Sequence, residues 1–99
     1  MSTILRRPQF VRDLRAAWLF IAKDSEVNAD RFLIELEKRY TLLADNPSVG
    51  ARRFPKYPTM RLFSYRSYLI IYDPLPDNIG IELIRLLHAA RDYHRYFDD

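Results

Sequence analysis

MRLFSYRSYLIIYDPLPDNIGIELIRLLH, residues 60–88, is where the hydrophobic period of the chain turns from helical to alternating. Met60–Tyr65 sets Met60, Leu62 and Ser64 against Arg61, Phe63 and Tyr65, the period of two expected of a half-buried strand. Ser67–Tyr72 is rich in tyrosine and isoleucine, which suits a central strand. Residues 73–78 read as a turn, because two prolines fix φ while Asp and Asn bond to nearby backbone. Ile79–Leu87 is the last strand, with Ile79, Ile81, Leu83, Arg85 and Leu87 expected on one face and Gly80, Glu82, Ile84, Leu86 and His88 on the other. Upstream of this stretch, Arg52–Phe54 is a further short strand candidate.

Before Pro47 the spacing is helical. Residues 2–7 read as a short strand, and Pro8 suits the opening of a helix, where its missing N–H is not needed. From Gln9 to Lys23 the apolar positions are Phe10, Val11, Leu14, Ala17, Trp18 and Ile21, one buried stripe, with Leu19 and Phe20 lying off it. Asp24 or Ser25 caps the next helix, whose stripe is Ala29, Phe32, Leu33, Leu36, Tyr40 and Leu43. Asn46-Pro47 stops it. Two such helices with a short connection make an antiparallel hairpin. Ala89–Asp99 reads as one or two helical turns. The order β-αα-βββ(β)-α predicts a two-layer α+β domain: an antiparallel sheet of three to five strands, packed by the N-terminal helical hairpin and followed by a short C-terminal helix.

At 99 residues the chain predicts a single domain over residues 1–99. It has 48% hydrophobic and 14% aromatic residues, enough bulk for a core without staples. The absence of cysteine excludes disulfides, thiolate metal sites and a cysteine nucleophile. Two glycines leave no Gly-rich phosphate loop. No apolar run approaches the roughly 20 residues of a membrane span, and the N-terminus lacks the apolar core of a signal peptide. The expectation is a soluble cytoplasmic protein with no membrane partner.

The net charge of +3 is mild, but its distribution is informative. Residues 1–50 are nearly balanced, with eight Lys/Arg and seven Asp/Glu. Between Asp45 and Asp73 there is no acid, while Arg52, Arg53, Lys56, Arg61 and Arg66 interleave with Phe54, Tyr57, Phe63, Tyr65 and Tyr68. Such a run suits phosphates and bases, and equally an acidic protein partner. It also fits a plain solvated strand face.

Catalytic signatures are few. His88 and His94 are the only histidines, and no metal-ligand spacing occurs, so no metal site and no cofactor are expected. No serine sits in a nucleophile elbow, and the sheet lacks paired carboxylates. What remains is a basic set, Arg61, Arg85 and Arg91 with His88, which could stabilise charge and move a proton at a phosphodiester. His88 as a strand-end residue bonded to backbone, and Arg91-Asp92 as a local ion pair, are the plain alternatives.

One pattern spans residues 5–97. It runs Asp13-Leu14, Trp18 and Ile21-Ala22; then Ala29, Phe32, Leu43-Ala44, Asn46-Pro47 and Gly50; then Arg61, Phe63, Tyr68-Leu69-Ile70 and Tyr72; then Ile84, Leu87-His88 and Arg91-Asp92. It resembles the RelE/ParE superfamily of bacterial toxins, and the 43–47 and 87–92 stretches are most similar to the ParE branch. The resemblance implies a type II toxin–antitoxin toxin involved in plasmid stabilisation. It also implies a hetero-oligomer with a ParD-like antitoxin, whose flexible C-terminal segment wraps the toxin. ParE-like toxins are associated with DNA gyrase, which makes gyrase inhibition the expected function. RelE-like toxins cut mRNA on the ribosome, and that is the alternative. Arg61 and Arg91 match basic positions of the RelE pattern, and Lys56 is the sole counterpart of its mid-chain lysines. The terminal tyrosine of that pattern falls on Phe97, which has no hydroxyl, with Tyr96 adjacent and Tyr93 near. No catalytic residue is therefore favoured, and Arg61, His88, Arg91 and Tyr96 are the set a nuclease would use. Arg52, Arg53, Arg61, Arg85 and Arg91 are candidates for target binding. Trp18, Leu19, Phe20, Tyr93, Tyr96 and Phe97 are candidates for antitoxin binding.

Overall fold

The computed structural model describes residues 2–92. The chain runs β1 (Thr3–Arg6), α1 (Pro8–Ala22), α2 (Glu26–Asp45), β2 (Arg61–Tyr65), β3 (Tyr68–Pro74), a short 3-10 turn (Pro76–Asn78) and β4 (Gly80–His88). Residues 89–92 turn into a helix. The rest of the expected C-terminal helix, with Tyr93, Tyr96 and Phe97, lies outside the described residues.

The helix boundaries follow local chemistry. Pro8 occupies the first turn of α1. Ser25 caps α2, its hydroxyl accepting from the Asn28 N–H at 3.1 Å. In the turn before β4, Asp77 and Asn78 sit at φ of 59° and 54°, left-handed positions that Asp and Asn tolerate.

The four strands form one sheet in the order β1-β4-β3-β2. β2, β3 and β4 are antiparallel, as expected, but β1 joins β4 in parallel, so the sheet is mixed. Parallel pairing needs a long crossover, and the helical hairpin and hairpin strands between β1 and β4 supply it. Gly80 permits the pairing, because a Cβ there would land on the Thr3 carbonyl oxygen. Arg52–Phe54 is not a strand. Only Ala51 bridges to Leu62: the next rung would pair Arg53 with Met60, whose N–H donates instead to the Tyr57 carbonyl at 3.1 Å.

The hairpin covers one face of the sheet. Phe10, Ala17, Phe32, Leu36, Tyr40 and Leu43 pack there on Tyr65, Tyr68, Ile70, Tyr72, Ile81, Leu83 and Leu86. A smaller cluster on residues of the opposite phase joins Met60, Leu69, Ile71, Ile84 and Leu87, with Phe54 and Ala89 against it. The strict alternation expected along β4 fails midway. A bulge opposite Ile71/Tyr72 adds a residue to β4, so Leu86 joins Ile81 and Leu83 while Leu87 joins Ile84.

Candidate functional site

Arg61, on β2, serves the protein's own backbone. Its Nη1 donates to the carbonyls of Ser48 at 3.1 Å and Gly50 at 2.7 Å. Tyr72, fully buried on β3, completes the clamp: its hydroxyl accepts from the Gly50 N–H and donates to the Pro47 carbonyl, both at 2.8 Å. Gly50 is required by this approach, because an added Cβ would lie 2.6 Å from the Tyr72 hydroxyl oxygen. Burial pushes the Tyr72 phenol pKa up, against the opposing pull of the Gly50 N–H and Arg61.

Arg85, on β4, grips Asp13 of α1 in a bidentate pair, Nε to Oδ2 at 2.8 Å and Nη2 to Oδ1 at 3.2 Å. Asp13 also accepts from the Leu86 N–H at 3.0 Å and the Gln9 amide at 2.9 Å. With side-chain exposures of 29% and 10%, this pair pins the helical layer to the sheet.

The third basic group lies where β4 gives way to the 89–92 turn. The Arg91 N–H donates to His88 Nδ1 at 3.2 Å, and the His88 N–H donates to Asp92 Oδ2 at 2.9 Å. His88 is therefore the cap of that turn, in a reciprocal arrangement like a capping box. Arg91 pairs with Asp92 at 3.2 Å, and the hydrogen bond to that carboxylate raises the guanidinium pKa further. The His88 ring stands edge-on to Tyr68, centroids 5.3 Å apart. Burial raises the Tyr68 phenol pKa, with Arg91 lowering it and Asp92 raising it.

The structure thus separates Arg61, Arg85 and the His88–Arg91 pair into three local tasks rather than one cationic cluster. The sequence alone does not reveal Asp13 as the partner of Arg85. Its one signal is a carboxylate beside the apolar stripe of α1. Among the target-binding candidates, Arg52 and Arg53 remain exposed on the loop before β2, with Lys56 and Tyr57 beside them.

The antitoxin candidates divide between two concavities. Trp18 and Leu19 line an apolar groove of about 450 Å³ with Val11, Leu14, Arg15 and Leu33. Leu19 is 54% exposed there, and the Trp18 indole N–H is fixed on Asp30 of α2 at 3.0 Å. Phe20 instead faces a cleft of about 380 Å³ shared with Asn28, Arg31, Arg66, Ser67, Tyr68 and His88. Tyr93, Tyr96 and Phe97 lie outside the described residues.

Among the described residues no group of His, Asp and Glu converges to hold a metal ion, and no helix is long and apolar enough to cross a membrane. In comparisons with known proteins, the family model described as ParE toxin of type II toxin-antitoxin system, parDE, matches residues 4–93. No curated protein matches the chain.

Proposed function

Because the chain belongs to the ParE toxin family of type II toxin–antitoxin systems, we propose that it is a non-enzymatic, cytoplasmic toxin that inhibits DNA gyrase and is neutralised by a ParD-like antitoxin. One observation carries the non-enzymatic reading: Arg61, Arg85, Arg91 and His88 are each bonded into the scaffold. Metal-free cleavage of a phosphodiester needs cations placed on the developing charge and a group free to take a proton. Here the guanidiniums face carbonyls and carboxylates, and His88 Nδ1 already accepts an N–H. That arrangement supports docking rather than bond breaking.

The groove beside Trp18 and Leu19 suits the antitoxin. An amphipathic partner helix that lays an apolar face along Val11, Leu14, Trp18, Leu19 and Leu33 would bury these side chains in a hetero-oligomer.

A supercoiling assay with purified gyrase tests this reading. The chain should stop supercoiling or accumulate cleaved DNA at near-stoichiometric amounts. No effect on gyrase, together with new cuts in mRNA on translating ribosomes, would replace it with the RelE-like reading.

A further inference from the structure

We propose that the loop of residues 51–60 is a preformed contact for single-stranded nucleic acid. The inference goes beyond the toxin reading and does not depend on it. Arg52, Arg53 and Lys56 are all exposed, and none makes a hydrogen bond or ion pair among the described residues. They differ in this from Arg61, Arg85 and Arg91, which the fold consumes. No acid occurs between Asp45 and Asp73, so nothing within this window competes with an incoming anion.

Tyr57 adds a second chemistry. The chain buries Tyr40, Tyr65, Tyr68 and Tyr72 but leaves Tyr57 59% exposed on the same loop as these three cations. Pro55 and Pro58 flank it and fix the backbone on either side. An exposed flat ring and unpaired cations on one short loop offer stacking to a base and charge to its phosphates, the combination by which single strands are held. An acidic protein would use the charge but has no need of the ring.

The loop is held before any ligand arrives. Ala51 and Leu62 exchange backbone hydrogen bonds at 2.9 and 2.8 Å. The Tyr57 N–H donates to the Phe54 carbonyl at 2.9 Å, and the Met60 N–H to the Tyr57 carbonyl at 3.1 Å. Phe54 and Met60 anchor it in the second apolar cluster. From the other side, Arg61 and Tyr72 clamp residues 47–50. Little ordering cost is therefore left to meet on binding.

Fluorescence anisotropy of labelled oligo(dT) and oligo(U) of about 12 nucleotides, titrated with the full chain, tests the proposal. Saturable binding is expected to both, or to whichever of DNA and RNA the loop prefers. With three cations on phosphates, log affinity should fall against log salt with a slope of about −2. The variant R52E/R53E/K56E should abolish binding. Tyr57→Leu, which keeps the charge, should weaken it about tenfold. R12E/R15E/K23E, an equal charge reversal on and just after α1, should retain binding of the wild-type order. The proposal is overturned if no saturable binding appears at low salt, or if Tyr57→Leu is silent. It is also overturned if the two triple reversals fall alike, or if only a poly-glutamate peptide binds in a loop-dependent way. Gyrase inhibition without oligonucleotide binding would leave the toxin reading standing and remove this one.

Discussion

The Tyr72 hydroxyl holds two backbone groups of residues 47–50 from within the core. Tyr72→Phe leaves a buried amide and a carbonyl short of a partner and should cost about 1–3 kcal/mol. A urea melt should show a lower midpoint at unchanged slope. The same burial makes a prediction about pH. The Tyr68 and Tyr72 phenols titrate above their ordinary value of 10.0 in the folded chain. Above that value the unfolded chain loses these protons first and holds fewer than the folded one, so stability falls as pH rises. The contribution is intact below 10.0 and lost on the way up through the raised folded values. Thermal midpoints should decline more steeply with alkalinity in the wild type than in Tyr72→Phe. These roles were only partly legible in the sequence. The plain readings, His88 bonded to nearby backbone and Arg91-Asp92 as a local ion pair, are the ones the folded chain displays. The partners of Arg61 are backbone carbonyls, which carry no residue signature, so its task was not legible.

At the scale of elements, Asp13 and Gly80 decide how layers and strands meet. Asp13→Ala leaves Arg85 and the Leu86 N–H without this acceptor at the α1–β4 junction. With the pair largely shielded, the loss should be about 2–3 kcal/mol by chemical denaturation. Gly80→Ala collides with the β1 backbone and should detach that strand, seen as loss of amide exchange protection over residues 3–6 and as a lower melting temperature. The helices and the three antiparallel strands were legible because their apolar periods are long and bounded by proline and caps. The short strand at the N-terminus was legible too, but its parallel pairing with β4 and the bulge in β4 were not. Both depend on pairing partners far along the chain, and a bulge shifts phase without changing composition.

At the scale of the whole molecule, the fold uses its central cations on itself, and among the described residues an apolar groove on the hairpin and a basic loop before β2 face outward. If the groove takes the antitoxin, Leu19→Glu should leave toxicity intact while co-expressed antitoxin no longer restores growth, a loss read directly by colony counts. The family pattern along residues 5–97 made this class of partner legible, whereas which cations stay free for a target depended on hydrogen bonds that only the folded chain displays. The most direct measurement is to induce the chain alone in bacteria and follow incorporation of labelled thymidine and labelled methionine through the first minutes. Replication should stop first, with translation continuing. Translation stopping first, with transcripts cut on the ribosome, would contradict the account.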